Sequence, residues 1–186
     1  MFATGRLVKD WNIIVTIYQQ GLRRALRALQ DIGPAERSPY HNVLVMKADD
    51  PIVVLTAIER LTDERPALYD AIARVAPAMR TFEFQSTETF NNNARTVMFE
   101  WLPNLAGRSF HTRLHRRGSK LDLRTPDAER LFNDAMVVAT TTAGTPAHIS
   151  FTDPDAVVVI DTIDDRAGLA MWTREDLARH RLLRPD

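Results

Sequence analysis

Residues 107–120, GRSFHTRLHRRGSK, gather four arginines, one lysine and two histidines with no acid among them. The chemistry open to such a set is recognition of phosphate and base. Arginine grips phosphate bidentately, and imidazole stacks on bases or sugars. The residue types alternate, so as a strand the segment would turn Phe110, Thr112 and Leu114 to one side. His111, Arg113, His115 and Arg117 would face the other. Alternate residues on a strand stand about 7 Å apart. Phosphates along an extended nucleic-acid strand are spaced by about 6–7 Å, so the row matches them. Arg108 precedes the strand, and Arg116, Lys120 and Arg124 extend the positive region. Gly118 and Ser119 would let a backbone come close to a ligand.

Two other readings stand beside this one. A basic strand face is often solvated or paired with nearby acids, and Asp153, Asp155, Asp161, Asp164 and Asp165 lie on segments expected to neighbour it. The face would then serve a protein-interaction module without nucleic acid. Alternatively, His111 or His115 would act as a base in a small phosphoester-acting enzyme. A metal site is not expected. Strand ligands usually stand at i, i+2, and the residue between these histidines is Arg113, which repels a cation.

The chain as a whole is neutral, with 24 Lys+Arg against 24 Asp+Glu, so any attraction to polyanions must be local. Its 45% apolar and 26% charged residues are globular proportions. No cysteine is present, which excludes disulfides and thiolate metal sites. Arg6, Lys9 and Asp10 interrupt the start before any run of signal-peptide length. Runs such as Ala156 to Ile160 fall far short of the roughly 20 residues that a span needs. A cytoplasmic protein is expected.

The elements that must position the basic row follow from periodicity. WNIIVTIY at 11–18 reads as a strand. Leu22, Ala25, Leu26 and Leu29 mark a helix that ends at Gly33-Pro34, and HNVLVMK at 41–47 is a second strand. Asp50-Pro51 caps a helix carrying Val54, Ala57, Ile58 and Leu61. Strand, helix, strand, helix is the pattern of a ferredoxin-like half-fold. The spacing of Leu68, Ala71, Ile72, Val75 and Ala76 predicts a short helix stopping near Pro77. MRTFEFQ at 79–85 alternates as a strand, and Phe90, Ala94, Val97, Met98 and Trp101 form a helical stripe. Asn91, Asn92 and Asn93 are read as a cap at a late helix start. After the basic strand, a helix begins near Thr125-Pro126 and ends at Gly144. Strands follow at 147–151, 156–163 and 168–172, and Thr173 with Asp176 opens a last helix. Thr140–Thr142 are read as a helix end, and Trp11, Trp101 and Trp172 as core or domain-interface residues. Whether Arg23, Arg24 and Arg27 join the basic surface is open.

The order F-x-x-R-x-x-R-R-G, here Phe110, Arg113, Arg116, Arg117 and Gly118, resembles the central strand motif of THUMP domains. The flanking order is similar: an aromatic strand and helix before it, the TPDAERL helix after it, then DPDAVVVIDTI and a final hairpin strand. The resemblance covers about residues 68–173. It implies an α+β chain with an N-terminal ferredoxin-like half-domain (1–67) and a THUMP-like domain with a mixed central sheet (68–186). It further implies binding to structured RNA, typically the acceptor end of tRNA. The RNA-binding residues would be Arg108, His111, Arg113, His115, Arg116, Arg117, Gly118, Lys120 and Arg124. No Gly-rich cofactor loop, P-loop or Cys nucleophile is found, so no cofactor is expected. The expectation is therefore a non-catalytic adaptor presenting tRNA to a separate modifying enzyme, such as an acetyltransferase or methylase.

Overall fold

A computed structural model describes residues 9–118 and 121–185 and divides the chain into two compact units. Arg6 and Lys120 lie outside the described residues. Among the described residues, the first unit runs to Ala78 and takes back residues 180–184, whereas the second comprises 79–179 and Pro185. The first unit thus extends eleven residues beyond the 67/68 boundary expected from sequence. Among the described residues, no helix is long and apolar enough to cross a membrane.

The first unit contains β1 (Ile13–Ile17), α1 (Leu22–Gln30), β2 (Ala35–Arg37), β3 (Val43–Met46), α2 (Pro51–Glu64) and β4 (Ile72–Pro77). Its antiparallel sheet has the order β2-β3-β1-β4. This β-α-β-β-α-β succession is that of a complete ferredoxin-like unit rather than a half. The added element is β4, which replaces the helix expected over 68–76. Leu68, Ala71, Ile72 and Val75 satisfy a helical period, but β1 offers a second edge, and Ile14↔Ala76 and Val15↔Val75 pair across it. Pairing on a sheet edge and β-branched side chains outweigh the local period. Pro66–Leu68 makes only a single 3-10 turn.

Asp50 caps α2 as its type predicts, accepting from the N–H groups of Ile52 (2.9 Å) and Val53 (3.3 Å). Gly21 precedes α1 for a packing reason: a Cβ there would lie 2.6 Å from Ala71 Cα. The returning segment supplies Leu182 and Leu183, both buried. The Val75 N–H donates to the Leu182 carbonyl at 2.8 Å. Glu59 accepts from the Leu182 N–H (3.1 Å) and from His180 Nδ1 (2.8 Å).

The second unit contains β5 (Arg80–Glu83), α3 (Thr87–Phe99), α4 (Leu102–Leu105), β6 (Ser109–Arg117), α5 (Thr125–Thr142), β7 (His148–Ile149), β8 (Ala156–Ile163), β9 (Arg166–Thr173) and α6 (Arg174–Arg179). Its sheet has the order β5-β9-β8-β6-β7. β6 is parallel to β7 and β8, while the β8–β9 and β9–β5 pairs are antiparallel. The sheet is therefore mixed, and the chain is α+β with a THUMP-like second unit. Phe110, Leu114, Val158, Ile160 and Leu169 build the core with Phe90 and Met98 of α3 and Phe132 and Met136 of α5. The rings of Phe84, Phe90 and Phe132 meet edge to face at 5.1 and 5.9 Å.

Helix α3 starts earlier than the asparagine run suggested. Ser86 and Thr89 form a reciprocal capping box, with the Thr89 N–H donating to Ser86 Oγ at 3.1 Å. Asn91–Asn93 therefore lie inside the helix, not at its cap. Gly144, at φ +78°, follows α5 as expected. Thr173 and Asp176 close the start of α6 through a 2.7 Å hydroxyl–carboxylate hydrogen bond.

Candidate nucleic-acid interface

Strand β6 pairs with β8 from Phe110 to Arg117 and with the short β7 only at Ser109 and Phe110, so what its charged row can do depends on what covers its faces. Its even positions behave as the alternation predicts. Phe110, Thr112 and Leu114 are buried. The Thr112 and Leu114 N–H groups donate to Asn133 Oδ1 and Glu129 Oε1 of α5, each at 2.9 Å.

The odd positions do not form an open row. His111, expected to face outward, is 1% exposed. Its Nδ1–H donates to the Ser150 carbonyl at 2.8 Å, which fixes the ring. On the same face, the β8 partners Val157, Val159 and Asp161 are also buried. Alternation assigned the side correctly but could not show that this side is covered too. Arg117 places Nη1 3.0 Å from Asp161 Oδ1, with the two side chains 16% and 6% exposed. His115 Nε2–H donates to the Pro185 carbonyl at 2.9 Å. Arg116, on the core-side parity, gives its guanidinium to the carbonyls of Leu121 (3.0 Å) and Leu123. Much of the charge in this stretch therefore fastens the strand to its neighbours.

The remaining expected residues are spread out. Arg108 is exposed at the start of β6 and lines a hollow with Asp155 and Arg174. Asp155 accepts from the Ser109 N–H and Oγ, both at 2.9 Å. These bonds, with Arg174 and Arg108 nearby, hold its carboxyl below the usual range. Gly118 adopts φ +105° just past the strand. Arg124 is exposed and bonded to Asp127 at 2.8 Å, which raises the guanidinium and lowers the carboxyl.

One feature was missed by the sequence reading. Phe151 follows the two-residue edge strand β7 and is 60% exposed. Its ring lies 5.2 Å from the His111 ring at an interplanar angle of 33°. The Arg113 guanidinium carbon stands 5.8 Å from the Phe151 centroid. Phe151 also borders a hollow of about 370 Å³ lined by Glu129, Arg130, Asn133 and Asp134. A large apolar ring left in solvent among Ser150, Thr152 and Asp153 was the available signal. An exposed aromatic face beside arginines can stack an unpaired base, and the hollow's mixed donors and acceptors can meet its edge.

Neither models of known protein families nor the sequences of characterised proteins match this chain. Solved structures do. PH1313 from Pyrococcus horikoshii is similar at 14% identity and TM-score 0.59, over 86% of this chain and 53% of that one. TrmN from Thermus thermophilus is similar at 18% identity and TM-score 0.55, over 86% and 44%. A 4-thiouridine synthetase, solved as an RNA complex with bound ATP, is similar at 10% identity and TM-score 0.50, over 87% and 41%. The chain thus spans about half or less of the length of these proteins. The expectation that it is not an enzyme is overturned. Further similar structures are described as methylases, among them a predicted N6-adenine-specific DNA methylase from Listeria monocytogenes with TM-score 0.52. At these identities the likeness establishes the fold: α+β, shared with larger proteins described as methylases and a thiouridine synthetase.

Proposed function

We propose that this chain is a cytoplasmic RNA-binding module that holds a single-stranded RNA end, such as the acceptor end of tRNA, for base modification. The observation that carries the reading is the exposed Phe151 ring beside Arg113, at the lip of the hollow containing Arg130. An unpaired base stacks on the ring, and flanking phosphates meet the arginines. The RNA complex of the structurally similar 4-thiouridine synthetase supports the choice of RNA. The modifying activity belongs to a methylase or synthetase, in the same polypeptide or bound to it. Arg113 and Arg130 are assigned as phosphate contacts because they flank the Phe151 ring and the hollow beside it.

The test is retention of tRNA in a gel shift by the unmodified chain and by Phe151→Ala. Binding that weakens about tenfold in the variant, as loss of one stacked base implies, supports the reading. Equal retention by both proteins removes Phe151 from the site.

A further inference from the structure

The first unit carries a concavity of its own. A hollow of about 390 Å³ is lined, among the described residues, by Arg23, Arg24, Arg27 and Arg65 over a floor that includes Ala28 and Leu68. No acid lines it. Two of the four guanidinium groups are held in place. Arg24 Nη1 donates to the Ala67 carbonyl at 2.9 Å, and Arg65 is paired with Asp31 at 3.0 Å. Arg23 and Arg27 stand at i, i+4 on α1, a like-charge spacing that destabilises a helix.

Asp31 offsets the charge of Arg65, but collecting the guanidinium groups of Arg23, Arg24 and Arg27 round one concavity still costs free energy through mutual repulsion, which a bound anion removes. Guanidinium forks match the oxygen geometry of phosphate and hold it bidentately. The apolar floor accommodates the organic part of a phosphate ester, as pocket linings of this kind do. We propose that this hollow is a phosphate-binding site, taking a phosphoester or pyrophosphate group. The site goes beyond the RNA reading of the second unit and does not rest on Phe151.

Calorimetric titration of the full chain with pyrophosphate at low salt tests it. Saturable one-site binding is expected, weakened about tenfold or more in Arg23→Gln/Arg27→Gln. It should be unchanged in Arg60→Gln, whose guanidinium pairs with Glu64. Arg23 and Arg27 are exposed, so the double variant keeps its fold, checked by circular dichroism. No saturable binding, or equal binding by the double variant, overturns the proposal. Competition identifies the source of the phosphate. Displacement of pyrophosphate only by a 5′-phosphorylated short RNA assigns the group to an RNA end. Displacement by its 5′-hydroxyl counterpart as well assigns it to backbone phosphodiesters, and displacement by neither assigns a free phosphate compound. Gel shifts with Phe151→Ala read the other site, so the two proposals fail separately.

Discussion

Arg117 on β6 and Asp161 on β8 face each other across parallel strands, Nη1 to Oδ1 at 3.0 Å, and both side chains are largely withdrawn from water. Removing one member takes a close counter-charge from the other in a poorly hydrated place. Asp161→Ala is expected to cost about 3 kcal/mol in urea denaturation, as broken buried pairs do. Adding Arg117→Met to that variant should recover part of the loss, because an apolar side chain carries no charge to desolvate.

Salt should report on the arginines that flank Phe151. Replacing Arg113 and Arg130 together by glutamine should reduce the slope of log affinity against log salt by about two, one for each lost phosphate contact. Fluorescence anisotropy with tRNA across a salt series measures it. An unchanged slope would remove both arginines from the interface.

The Ser109–Asp155 contact gives a pH dependence with a defined sign. Hydrogen bonds from Ser109, aided by Arg174 and Arg108, hold the carboxyl of folded Asp155 below the usual carboxylate range. Its contribution is therefore present above the ordinary carboxylate range and lost as pH falls through the lower folded value. Thermal denaturation followed downward from pH 5 should show a decline below about pH 4 that Asp155→Asn flattens.

Gly21 should tolerate no side chain. A Cβ would press to 2.6 Å of Ala71 Cα and 2.9 Å of its carbonyl oxygen. Gly21→Ala is expected to destabilise the protein by about 1–3 kcal/mol, the usual cost of overpacking, measured by chemical denaturation.

Local pattern made part of this legible. The β-branched run AVVVIDTI marks β8 from Ala156 to Ile163, and the alternation of β6 gives the parity of each side chain. Asp50-Pro51 and Thr173 with Asp176 announce their helices by side-chain chemistry that acts within a few residues. β4 was illegible because its apolar spacing fits a helix, and only the free edge of β1 makes it a strand. The burial of His111 was hidden for a related reason. A strand's sequence reveals which residues share a side, but not whether that side is covered. Phe151 escaped notice because its exposure depends on β7 being a two-residue edge strand, a property of the assembled sheet.

The return of residues 180–184 to the first unit has a consequence for synthesis. Leu182 and Leu183 are core residues of a unit that otherwise ends at Ala78, so a ribosome must translate residues 79–179 of the second unit before the first can close. Most of the second unit, residues 79–179, is inserted between two segments of the first. The first unit is begun before the body of the second and completed after it.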